Sequence, residues 1–526
     1  MEISRREFLA LSGTAAVVGA DYLARQSSSG YRLFREAFGQ ESRPITLDFD
    51  PAVLVRKAVY REKAWRAAVD ALREKYKDIN VIVVEGEIEE ALPALREQRP
   101  THVNYPERPE VLAVPELVPA TDIAGIERGR QLGEASGVGR FYRLLNEVGN
   151  GTRASIGGII TGLTPEDALR LAQAEPFDID YSMCISLPLL EVLRGGVKFE
   201  DSKRQHPDGQ FITRHEKGNG EIVESRARFA GPEFLERVNS GEVDLIVTSA
   251  HASYADWNPG YNYKDDRFLI GEQGNIWVLD HEDDHIKGRV DSTNPKAYIG
   301  VGNCQMGRIK DARRSMALAW MHSGGVRQHF GYTVDTWYGF AGWGIIDHLV
   351  SGNPTLFEAM QMNTLALQHY MRLVGEHTRA NGFVTGKDLI GLGYDQNTFV
   401  GYGDACLPVR IRRDPSAVPF LNVDGEVIRG KEGDVYRLVV RVNKDGQVGM
   451  APPVALLPRL TPRNIRASEG LKYEFGDRHV VLSVGHNIVR GEVDAVVNGQ
   501  RKRLPVSVLE PRNLRAGQTL ELEFSN

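Results

Sequence analysis

The stretch GPEFLERVNSGEVDLIVTSAHASYADW, residues 231–257, decides how this chain is read. It runs as a helix, an Asn-Ser-Gly turn at 239–241, an apolar strand through Leu245–Val247, and a loop of small residues carrying His251. Helix followed by buried strand is the repeating element of an α/β layer.

The same rhythm extends in both directions. Upstream, AWRAAVDALREKY has helical spacing, NVIVVEG reads as a short buried strand, and residues 89–114 continue as helix then strand. In ASIGGIITGLTPEDALRLAQA, Ile159 and Ile160 end a strand, Thr164 caps a helix with Pro165 at its first position, and Asp167 lies three residues past the cap. Downstream, NPKAYIGVGNCQMGRIKDARRSMALAWMHSGG gives a strand at Tyr298–Val301, a turn at Gly302-Asn303-Cys304 and an expected helix over 309–322. Helices continue to about Arg379, with strand near Cys406. From about residue 418 short strands dominate, with hairpins expected at Asn443–Gly446 and at Asn498-Gly499. That texture predicts an immunoglobulin-like β-sandwich over 416–526.

At 526 residues the chain needs two or three domains. Its 42% apolar and 25% charged content is that of a soluble globular protein, and a net charge of −6 gives no general attraction to nucleic acid. No apolar run is long enough for a bilayer span in the mature chain. The first 26 residues differ: Ser4-Arg5-Arg6-Glu7-Phe8-Leu9 precedes a weakly apolar segment, the layout of a twin-arginine export signal. A periplasmic or secreted protein is expected, with a polar linker at 27–50 and a linker plus N-terminal α/β subdomain over 27–140.

Two strand ends carry reactive groups, His251 and Cys304. In an open α/β sheet, chemistry gathers beyond the carboxyl ends of the strands. If these strands are parallel neighbours, imidazole and thiol share one edge, and the imidazole can take the thiol proton to generate a nucleophile. Small residues beside each side chain leave the Ala252 and Cys304 N–H groups available as oxyanion donors. With three cysteines, one is left unpaired; a Cys184–Cys406 disulfide would leave Cys304 as the free thiol.

These motifs resemble the gingipain-type cysteine peptidases of the caspase-like clan. Asn239 and Gly241, the strand Leu245–Val247, His251, Ser253 and Trp257 follow the family's histidine motif, with Ala252 where glycine is usual. KAYIGVGNCQMG is similar to its strand-then-cysteine segment, and VGYGDACLPVRI at 400–411 to its Gly-Asp-Pro segment, with Ala405 for proline. The resemblance covers residues 140–412 and implies a caspase-like, mostly parallel sheet flanked by helices over 141–415, followed by the β-sandwich. It implies an endopeptidase acting on protein or peptide substrates, with Cys304 as nucleophile, His251 as base and an upstream acid orienting the histidine. Glu147 is the carboxylate in that upstream segment, and Asp256 is a second candidate or a bracket of the histidine loop. No cofactor is required, and structural calcium is compatible.

Two other clusters invite function. LDHEDDHIKG holds His281, Glu282, Asp283, Asp284 and His285, readable as a solvated acidic loop or as a metal site. TWYGFAGWG offers Trp337, Tyr338, Phe340 and Trp343 as an aromatic wall for substrate or as packed core. The alternatives to a cysteine peptidase are a surface binding protein that kept the fold without turnover, and a metallohydrolase built on residues 280–285.

Overall fold

The computed structural model describes residues 42–114, 123–200, 211–216, 222–227, 230–258, 268–279, 285–336, 339–383, 385–430, 433–449, 451–497 and 500–526. The segment expected to be an export signal therefore lies outside the described residues, as do Trp337, Tyr338 and most of the acidic cluster. Two compact units emerge, residues 49–371 with 390–418, and the described residues 42–48 with 372–389 and 419–526.

The first unit is built on one sheet. Its strands are β1 (Pro51–Arg56), β2 (Asn80–Val84), β3 (His102–Pro106), β4 (Ile156–Ile160), β5 (Tyr181–Ile185), β6 (Gly195–Glu200), β7 (Phe211–Glu216), β8 (Ile222–Ala227), β9 (Leu245–Thr248), β10 (Lys296–Gly300), β11 (Val326–Tyr332) and β12 (Phe399–Tyr402). Their spatial order is β8-β7-β6-β5-β9-β10-β11-β12-β4-β3-β1-β2. All pairings are parallel except β6–β7, β7–β8 and β11–β12. The antiparallel seam between β11 and β12 divides the sheet into two blocks running in opposite directions. Each block repeats one strand order, β2-β1-β3-β4 in the first and β6-β5-β9-β10 in the second. Strands β4, β9 and β10 are buried along their whole length, which is why they read as continuous apolar runs rather than alternations. Residue 140 falls inside α2 (Gly137–Val148), and strands on both sides of it join this one sheet.

Helices cover the sheet where local sequence starts them well. In α3 (Pro165–Ala172) Thr164 and Asp167 form the reciprocal capping box, with Pro165 in the first turn. Helix α1 (Lys63–Lys75) buries Trp65, Val69 and Leu72, and α4 (Gly231–Asn239) buries Phe234 and Val238. The helix expected over 309–322 is shorter: α5 spans Met316–His322, because Ser315 caps it by accepting from Leu318 N–H, and residues before it turn through an Arg314-to-Asp311 backbone bond. Gly157 lets α2 approach β4, since a Cβ there would lie 2.4 Å from Leu145 Cδ1.

The second unit contains antiparallel sheets. Ser42–Pro44, Leu421–Gly430, Gly433–Val442, Thr519–Ser525 and Arg463–Ala467 form one, and Val454–Leu456, His479–Ser483 and Lys472–Phe475 another. Leu438, Val440, Val480, Leu482, Leu522 and Phe524 from both share a core. Residues 42–44 thus pair with Val427 and its neighbours instead of serving as linker. The Asn443–Gly446 hairpin does not form: Gly446–Gln447 pairs with Asn513–Leu514, and the free edge of Gly433–Val442 is taken by the C-terminal strand. His486–Val497 and Gln500–Pro511 do pair as a long hairpin, joined at the expected Asn-Gly position, whose two residues lie outside the described set.

Candidate active site at the carboxyl edge of the sheet

Strands β9 and β10 are hydrogen-bonded parallel neighbours, with Leu245 opposite Ala297 and Thr248 opposite Gly300. They end flush, so the turns bearing His251 and Cys304 leave the sheet side by side at one edge, on strands about 4.8 Å apart. Val301 N–H reaches Thr248 O at 2.9 Å, continuing the ladder one step past the strands. Thr248 then staples the turns together: its hydroxyl lies 2.7 Å from Tyr298 OH and donates to Asn303 Oδ1 at 2.6 Å. Thr248, Tyr298 and Asn303 are all fully buried.

The histidine loop is a narrow ribbon. Asn258 N–H donates to His251 O at 2.8 Å and Ser253 N–H to Asp256 O at 2.7 Å, flanking a bridge between Ala252 and Trp257. In such a non-hydrogen-bonded pair the N–H groups point away from each other, so the Ala252 N–H is directed off the ribbon. Ser253 Oγ accepts from Ala255 and Asp256 N–H, which makes the turn. Trp257 anchors it, buried against Phe234 and Phe268 with centroids at 6.3 and 5.4 Å. Asp256 closes the turn through its backbone, its N–H donating to Ser253 Oγ and its carbonyl accepting from Ser253 N–H. Tyr254 ties the loop to the segment after Cys304: its carbonyl accepts from Met316 N–H at 2.8 Å, and Arg308 and Lys310 lie over its ring at 5.6 and 5.9 Å.

Cys304 is the one partly exposed thiol; Cys184 and Cys406 are buried, and none of the three is in a disulfide. The Cys184–Cys406 disulfide is therefore corrected. Cys184 sits on β5 and Cys406 follows β12, four strand spacings or roughly 19 Å apart, well beyond disulfide reach. Thr336 N–H donates to Cys304 Sγ at 3.2 Å. Behind it, Tyr394 OH donates to Asp335 O at 2.5 Å and Gln305 Nε2 to Asp335 Oδ1 at 2.8 Å. Burial first, then the Asp335 and Cys304 charges, hold the Tyr394 hydroxyl well above its ordinary range.

Trp343 belongs to this neighbourhood. It lies in the first turn of α6 (Phe340–Ser351), partly exposed, and that turn rests on the end of β10: a Cβ on Gly342 would sit 2.6 Å from Val301 Cα. Gly339, with φ +78°, starts the helix, and its Cβ position lies 3.3 Å from Trp343 Cδ1. Phe340 is buried, as a core residue would be.

Other expected residues fall elsewhere. Glu147 lies in the last turn of α2, leading into β4 three strands from β10, and its half-exposed carboxylate pairs with Arg143 at 3.8 Å. Asp404, in the Gly-Asp-Ala segment, follows β12 and so lies at the opposite edge. There its buried carboxylate accepts from Lys75, Tyr76, Asn104 and the Cys406 N–H at 2.9, 2.6, 2.7 and 2.9 Å. Burial, with the Asp404 charge, pushes the Cys406 thiol up, a setting that suits structure and not nucleophilic attack. His285, the described member of the acidic cluster, is exposed. Among the described residues no three His, Cys, Asp or Glu side chains are grouped to hold a metal ion, and no helix is long and apolar enough to cross a membrane.

Thr248, Asn303, Thr336 and Tyr394 were not singled out by motif. Thr248 and Asn303 adjoin motif residues, but Thr336 reaches Cys304, and Tyr394 the Asp335 carbonyl, only through the fold. No protein-family model matches the chain, and a search of curated proteins finds no match.

Proposed function

We propose that this protein is an exported cysteine endopeptidase with a caspase-like catalytic unit and a C-terminal immunoglobulin-like sandwich. The observation that carries the reading is the flush parallel register of β9 and β10, which sends His251 and Cys304 off one edge in stapled turns. Partial exposure of Cys304 alone among the thiols fits the same role.

In the proposed reaction the Cys304 thiolate attacks the scissile carbonyl carbon, forming a C–S bond as the carbonyl π pair moves to oxygen. The Ala252 and Cys304 N–H groups donate to that oxyanion. The C–N bond then breaks, with the amine taking its proton from the His251 imidazolium. Water, deprotonated by His251, hydrolyses the acyl-thioester and returns the thiol. Glu147 is not needed for this scheme, because a thiolate forms without a strong third member. Trp343 supplies one wall of the substrate groove.

Incubating purified protein with a peptide library tests the reading. Cleavage at a defined residue type, abolished in Cys304→Ala, is expected. Cleavage that persists in Cys304→Ala and stops with a chelator selects the metallohydrolase, and no cleavage by wild type selects the binding protein.

A further inference from the structure

The geometry points to Tyr394 as a positioning residue that aims and strengthens a backbone hydrogen bond to the Cys304 sulfur; this rests on Cys304 being the nucleophile. The Asp335 carbonyl and the Thr336 N–H belong to one planar peptide unit, and in a trans unit they point in opposite directions. Tyr394 OH holds the carbonyl end at 2.5 Å, and the amide end meets Cys304 Sγ at 3.2 Å. Fixing one end fixes the other. Donation into the carbonyl also polarises the peptide, which makes its N–H a better donor. A hydrogen bond to the charged form of a titrating group favours that form, so the chain from Tyr394 through the peptide to sulfur stabilises thiolate over thiol.

The peptide has further tethers. Gln305, next to the nucleophile and at φ +58°, donates from Nε2 to Asp335 Oδ1 at 2.8 Å and from its backbone to Val334 O at 3.0 Å. Thr333 N–H and hydroxyl both bond Thr398 O, at 2.8 and 3.1 Å, at the end of α7 (Lys387–Thr398), the helix that carries Tyr394. The segment just after β11 is therefore held by α7 at Thr333 and again at Asp335. Tyr394 is 1% exposed, and phenylalanine keeps its ring packing while removing only the donor.

The test is the pH dependence of iodoacetamide alkylation at Cys304 in the full chain, read by peptide mass spectrometry. Tyr394→Phe is expected to move the midpoint to higher pH by about one unit, slowing alkylation about tenfold below it. Peptide cleavage should lose kcat at low pH, recover at high pH, and keep KM. Gln305→Leu cuts the other tether and shifts the midpoint the same way by less, which decides the matter if Tyr394→Phe does not fold. Asp335→Asn keeps both acceptors and gives no upward shift. A wild-type profile in Tyr394→Phe and Gln305→Leu, or an equal upward shift in Asp335→Asn, overturns the inference. A shifted alkylation profile in a protein that cleaves no peptide leaves this inference standing and sinks the peptidase reading.

Discussion

Replacing Thr248 by valine removes one hydroxyl and almost no volume from the point where the two candidate catalytic turns are joined. The hydroxyl is fully buried and makes two hydrogen bonds, at 2.7 Å to Tyr298 OH and 2.6 Å to Asn303 Oδ1. Each lost bond costs about 0.5–1.5 kcal/mol, and leaving two buried polar partners short of a bond brings the total to about 2–4 kcal/mol. Thr248→Ser keeps the hydroxyl and loses one methyl, about 1 kcal/mol. Urea unfolding followed by tryptophan fluorescence is the suitable assay. All 6 tryptophans fall within residues 65–343, so the signal reports the α/β unit alone. The valine variant should be clearly less stable than the serine variant at unchanged m, and its kcat/KM for peptides should fall further. A loss under about 0.5 kcal/mol for Thr248→Val, or equal losses for the two, refutes the staple.

Acid should destabilise the same unit through its buried histidines. Burial pushes His329 and His348 down to about 3. Unfolded, they titrate near ~6.5, so the unfolded chain gains protons first as pH falls. Stability present above that value is lost from about pH 6.5 toward pH 3, at about 1.4 kcal/mol per pH unit for each. His348→Leu should flatten the slope by that amount between pH 6 and 5, and an unchanged slope contradicts the burial argument. Gly342→Ala puts a Cβ 2.6 Å from Val301 Cα, so α6 must shift from the strand end at a cost of about 1–3 kcal/mol. Its KM for peptides should rise with the displacement of Trp343; wild-type stability and KM together would count against this placement.

Local rules made several elements legible. The Thr164–Asp167 capping box depends on four consecutive residues, and sequence and structure agree on it. The apolar runs at β4, β9 and β10 are readable because strands buried on both faces need no alternation. Long-range pairing was not legible. The Asn443–Gly446 signal is sound as a turn, but Thr519–Ser525 claims the strand edge from the far end of the chain. The repeated strand order leaves no sequence repeat, because burial constrains residue type without fixing identity. At the candidate site, His251 and Cys304 stand out by chemistry. The Thr336 amide does not, since a backbone N–H has no residue-type signature and reaches the sulfur across 32 positions.

The central claim is that the imidazole of His251 activates the sulfur of Cys304 toward a carbonyl. Treating the full chain with a peptidyl acyloxymethyl ketone and mapping the adduct by mass spectrometry tests it most directly. One stoichiometric adduct on Cys304, lost in His251→Ala while that variant keeps the wild-type unfolding profile, is the expected result. An unlabelled Cys304, or labelling indifferent to His251, would contradict the account.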